Sequence, residues 1–228
     1  MDPKVEPMET VDETKIEPNP SLVESLETGD IILFSRPNSC FKNPFSFCIS
    51  CCTFSKYSHV GMVLKDPMFV KEGMHGYYIL DSTAWETTKD VETDQIDFGV
   101  QVRDLPQVIK EYGGKVYIRK LNVERDARFY AQLAKLYGQT MHTDYCLDVD
   151  DYFRAWLGED IGNTQETDSL YCSAYIAYLL AQLKVLPKKT PWMLVRPKEF
   201  GDEKKRRHFI DAYVKLGDLQ RIRFKDFP

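Results

Sequence analysis

The residues best suited to chemistry in this chain are one histidine and one cysteine far apart in sequence. His59 sits in "SKYSHVGMVL", where a polar lead-in runs into Val60-Gly61-Met62-Val63-Leu64, the pattern of a strand start. Cys172 sits in "SLYCSAYIAYLLAQLKVL", in the first turn of a helix expected from Ser169 to about Val185. At helical spacing it shares a face with Ile176, Leu179, Leu180 and Leu183, which points it towards the core. A helix N-terminus carries unpaired N–H groups and a partial positive charge. Both favour a thiolate, and both can hold the oxyanion of an acyl-transfer intermediate. An imidazole beside such a thiol takes its proton, an acid beside the imidazole fixes the tautomer, and the thiolate attacks a carbonyl.

The acid has two candidates. Asp81 lies in "YYILDSTAW", an apolar strand that returns from the His59 strand, and Glu86 lies just past the end of that strand. A hairpin between the two strands sets Asp81 beside His59 if both side chains leave the same face. A backbone carbonyl or a polar side chain such as Gln101 could orient the ring instead. Each residue also has an ordinary reading, since a free cysteine often packs as a small buried hydrophobe. The three roles together, rather than any single residue, point to thiol-based acyl chemistry.

The elements that must position these residues read as follows. Residues 1–20 are rich in Pro, Glu and Asp and are expected to be a disordered acidic tail, leaving residues 21–228 as one domain. A short helix capped by Ser21 precedes a strand at Ile31–Ser35. Further strands are expected from His59 to about Lys65, at Tyr77–Ala84, at 98–105, at 114–121 and in "LQRIRF". Residues 124–139 form an amphipathic helix with Phe129, Leu133 and Leu136 on one face and Gly138 as its stop. Residues 38–57 make an aromatic, cysteine-rich connection, and 143–168 read as irregular, with a helical turn or two around "DYFRAWLG".

Composition narrows the function classes. The chain has 43% hydrophobic residues, enough for a full core, and a net charge of -5, which argues against nucleic acid as a partner. No apolar run reaches the roughly 20 residues of a membrane span, and the N-terminus lacks the apolar region of a signal peptide. Cys40, Cys48, Cys51, Cys52, Cys146 and Cys172 are irregularly spaced, so reduced thiols and a cytoplasmic location are expected. Cys48, Cys51 and Cys52 supply half of a zinc site without a second spaced pair, so no metal and no cofactor is expected. The basic run at 202–208 reads as a solvated loop, and His75 and His142 as surface residues.

In order along the chain, "GDIILF", "SHVGMVL", "YILDSTAW", "YGQTMHTDYCLD" and "LYCSAYIAYLL" resemble the circularly permuted papain-like enzymes of the NlpC-type superfamily. The likeness is to the amidase-like group that includes bacterial YiiX proteins and relatives in large DNA viruses, and it spans about Leu26 to Trp192. The resemblance implies an α+β fold, with an antiparallel β-sheet or barrel packed against the helix that carries the cysteine. It implies Cys172 as nucleophile, His59 as base and Asp81 as orienting residue, where the family usually has glutamate. Tyr145 matches a tyrosine near the family's cysteine, and Tyr171 and Glu86 are supporting candidates. The implied activity is hydrolysis of an amide through an acyl-thioester. Alternatives are a lipid acyltransferase or esterase on the same fold, as in lecithin retinol acyltransferase, and a binding module without turnover.

Overall fold

Six apolar strands, each flanked by turn residues, pair into one antiparallel sheet in the computed structural model, which describes residues 19–35, 56–84, 87–145, 164–201, 212–214 and 216–228. The strands are β1 (Ile31–Ser35), β2 (Tyr57–Lys65), β3 (Tyr77–Thr83), β4 (Gly99–Asp104), β5 (Lys115–Leu121) and β6 (Leu216–Ile222). Their spatial order is β4-β3-β2-β1-β5-β6. The sheet is therefore open rather than a barrel, with β4 and β6 at its edges. Among the described residues, five α-helices accompany it: α1 (Pro20–Glu24), α2 (Leu105–Glu111), α3 (Ala127–Thr140), α4 (Cys172–Gln182) and α5 (Pro197–Gly201).

Alternation along the strands feeds two cores. Ile31, Leu33, Met62, Leu80 and Val102 face one side, where α3 and α4 pack. Ile32, Phe34, Val63, Ile79 and Ile118 face the other, covered by α1 and α2. With both faces covered, the strands read as near-continuous apolar runs rather than as a polar–apolar alternation. In α4 every residue except Tyr178 and Gln182 is buried, which is why its sequence is apolar almost all round.

Several boundaries differ from those read in the sequence. Asn19, not Ser21, occupies the N-cap of α1, and Ser21 Oγ donates to Asn19 Oδ1. Pro20 opens the helix, where its fixed φ and missing N–H cost nothing. α3 passes through Gly138 and ends at Thr140, whose Oγ1 donates to the Leu136 carbonyl. α4 begins at Cys172 because Ser169 pairs with Asp144 in a short parallel bridge and the Leu170 N–H donates to the Asp144 carbonyl. The helix α2 was not expected. Asp104 caps it by accepting from the Gln107 N–H at 2.8 Å, with Pro106 in its first turn. Residues 1–18, the segment with Cys40, Cys48, Cys51 and Cys52, Glu86, Cys146, the "DYFRAWLG" turn and the basic run at 202–208 lie outside the described residues.

The start of β1 is tied to the exit of the neighbouring β5 by a buried carboxylate. Asp30 accepts from the Glu27 N–H (3.0 Å), the Leu121 N–H (2.9 Å), Lys120 Nζ (2.6 Å) and Arg125 Nη2 (3.1 Å). The entry to β1, the exit of β5 and the approach to α3 thus meet on one side chain. Asp30→Ala removes the acceptor and leaves these donors unmet, so a loss of about 2–4 kcal/mol in unfolding free energy is expected by urea denaturation.

Candidate active site

The ladder between β2 and β3 runs from Lys65↔Tyr77 to Met62↔Leu80 and ends there. Beyond that point β2 continues paired with β1, Phe34 opposite His59, while Asp81, Ser82 and Thr83 of β3 stay paired with β4. The two strands are no longer bonded to each other where His59 and Asp81 stand. The start of α4 is fastened at this place. Ser82 Oγ donates to the Leu170 carbonyl at 2.5 Å, and Ser173 Oγ donates to the Val195 carbonyl at 2.8 Å. The cysteine at the first position of α4 is thereby held by one bond to β3 and one to the segment ahead of α5.

Gly61 explains how an aspartate on β3 reaches a histidine on β2. A Cβ at this position would stand 2.6 Å from Ile79 Cδ1 and 3.2 Å from Asp81 Cβ. Only a glycine lets the β3 side chains lie across β2 this closely. Asp81 reaches over it and accepts from His59, with Nε2 to Oδ2 at 2.7 Å. The same oxygen accepts from Arg103 Nη2 at 2.5 Å. The His59 side chain retains 15% exposure, whereas those of Asp81 and Arg103 are 0% and 1% exposed.

With Nε2 occupied by Asp81, Nδ1 is the ring nitrogen left for Cys172, which lies near enough for its charge to act on His59. Cys172 is buried. The imidazole is braced from β1 by Phe34, whose ring centroid is 5.4 Å away. Phe34 is met edge-on by Tyr112, and the Tyr112 hydroxyl donates to the Ser35 carbonyl. Packing and hydrogen bonding therefore fix the ring from two sides. At the helix end, the N-cap residue Tyr171 makes no side-chain cap to the first N–H groups of α4.

Electrostatics follow from the same contacts. Burial alone would pull the His59 pKa down, but the negative charge of an ionised Cys172 and the bond to Asp81 outweigh it and push it up to about 10. Burial would push the Asp81 carboxyl up, but the Arg103 guanidinium, followed by His59, holds it below the usual carboxylate range.

The other candidates fall in different places. Tyr145 is half-buried and packs against the core that contains Cys172. Tyr171 is the N-cap residue of α4, and its hydroxyl donates to the Met193 carbonyl, which makes it an anchor for the helix start. Gln101 donates to the Asp97 carbonyl, so Asp81 is the side chain seen on the histidine. Arg103 was missed. Its signal was an arginine in "FGVQVRDL" on the face opposite Val100 and Val102, where a solvent-facing reading was easier than a buried ion pair. Among the described residues, no three His, Cys, Asp or Glu side chains come together as metal ligands. No described helix is long and apolar enough to cross a membrane.

These shifts carry a stability prediction. A histidine whose pKa is raised on folding stabilises the native state fully below its unfolded value, near 6.5, and loses that contribution as the pH climbs through about 10. The unfolding free energy of the wild type relative to His59→Asn is therefore expected to fall between these limits in denaturant titrations. Asp81 works in the opposite sense, its contribution being present above about 3.8 and lost as the pH falls further. A pH-independent difference between wild type and His59→Asn would mean that the histidine is neutral in the folded protein.

No family model matches the chain, and no curated protein matches it. Among solved structures, the chain is similar to the crystal structure of the metalloprotein YiiX from Escherichia coli O157:H7, at 17% sequence identity and a TM-score of 0.44. The match covers 89% of this chain and 98% of that one.

Proposed function

We propose that the protein is a cysteine hydrolase of permuted papain-like type that cleaves an amide through an acyl-thioester on Cys172. The observation that carries this reading is the buried Asp81 shared by Arg103 and His59, with a buried cysteine at the first position of a helix near enough for its charge to act on that histidine. The order along the chain, histidine first and cysteine late, supports the permuted assignment, as do the motifs that resemble that superfamily.

In this reading Cys172 gives its proton to His59, and its Sγ attacks the substrate carbonyl carbon. The oxyanion that forms is met by uncapped N–H groups at the start of α4. His59 passes its proton to the leaving amine as the carbon–nitrogen bond breaks, which leaves the acyl group on sulfur. A water molecule, deprotonated by His59, then attacks the thioester, releasing the acid and restoring the thiol. Asp81 keeps the imidazole in the tautomer that presents Nδ1 to the thiol.

The test is to incubate the protein with mixed libraries of peptide amides and acyl esters and to look by mass spectrometry for an acyl adduct on the peptide containing Cys172. An adduct from amides supports the reading. An adduct only from esters moves the substrate class to acyl esters, and no adduct at all supports a binding module instead. Cys172→Ala should abolish turnover. Asp81→Asn should lower kcat by about 10²–10⁴-fold with little change in the melting transition, while Glu86→Gln should change it by less than about tenfold.

A further inference from the structure

We propose that Arg103 is a positioning residue for the catalytic group: by binding the same Asp81 oxygen as His59, it keeps Asp81 ionised and supplies a buried positive charge that favours the ionised cysteine. This deepens the reading of Cys172 as a nucleophile and rests on it. Three observations converge. Arg103 Nη2 and His59 Nε2 meet on Asp81 Oδ2, at 2.5 and 2.7 Å. Arg103 and Asp81 are both essentially without solvent contact. The two cations approach from opposite neighbours of β3, the guanidinium from β4 and the imidazole from β2.

Charge counting gives the consequence. Arg103 and protonated His59 each carry one positive charge, and Asp81 and an ionised Cys172 each carry one negative charge. Removing Arg103 takes one buried positive charge from these groups, and a cluster so changed takes up a proton at higher pH. The guanidinium also draws on the lone pairs that His59 uses. Asp81 then remains the ionised partner, and the mobile proton stays between imidazole and thiol. Among the described residues, further titratable groups act at the cluster. Tyr175 of α4 acts on Asp81, and Glu111 at the end of α2 acts on Arg103. β1 contributes Phe34, which does not titrate, and behind it Tyr112. Burial raises the Tyr175 pKa, so it is neutral through the working range and adds no charge beside Asp81.

The experiment is the pH dependence of Cys172 alkylation by iodoacetamide, read peptide by peptide in the full-length protein. Wild-type Cys172 is expected to react faster than the same cysteine in denaturant, with an acid limb in its pH profile. In Arg103→Gln and Arg103→Met that limb is expected to rise by about one pH unit or more, a roughly tenfold loss of rate on the acid flank. Arg103→Lys keeps the charge on a single ammonium and should give an intermediate limb, raised by a few tenths of a unit. A role confined to stability would lower the reactive fraction without moving the midpoint. If neither neutral variant folds, Arg103→Lys decides the matter by itself. A limb that superimposes on the wild type in any folded variant overturns the proposal. A wild-type Cys172 no faster than in denaturant overturns instead the underlying reading of the cysteine as a nucleophile.

Discussion

An ionised carboxylate with no solvent contact is the constraint on which the site depends. Asp81 is completely buried between two strands, and a lone charge in that position would cost several kcal/mol or take up a proton. It is kept ionised because two cationic groups share one of its oxygens. The surrounding fold can be read as the means of bringing those groups together. β4 supplies the arginine, β2 the histidine, and β3 the carboxylate between them.

The sheet meets this demand by giving up regularity at one place. A ladder continued past Met62 and Leu80 would have left less room for the His59 and Asp81 side chains to meet and for the α4 start to come close to them. Ending the ladder gives up a few backbone hydrogen bonds between β2 and β3, but β2 keeps its pairs with β1 and β3 keeps its pairs with β4. The strands stay anchored on their outer sides while their shared edge is released. Gly61 completes the arrangement by removing the one side chain that would have filled the space.

Much of this could be read from the residues. The strand at His59, the returning strand with Asp81 and the late cysteine helix are apolar runs bounded by polar and turn residues, and their lengths separate the strands from the helix. Gly61 two residues after His59 was visible as an oddity, although its reason, the passage of Ile79 and Asp81 overhead, depends on the register of a neighbouring strand. What was not legible depends on contacts remote in sequence. Whether Arg103 faces solvent or a carboxylate two strand positions away is decided by sheet order, and alternation alone cannot tell the two apart. The start of α4 was placed early for a related reason. Ser169 and Leu170 are good residues for a first turn, but their backbone is claimed by Asp144.

That last pairing has a consequence for how the protein can change over evolutionary time. The Val100 N–H donates to the Thr143 carbonyl, and Gly99 lets that carbonyl approach within what would be 2.1 Å of a Cβ. One residue later Asp144 clasps Ser169 and Leu170, just ahead of the cysteine. Asp144 and Ser169 are therefore held together at the helix start. Closing a longer loop costs only about 0.6 kcal/mol for each doubling of its length. Descendants could insert, remove or rewrite residues between these two positions while the clasp holds the helix start in register.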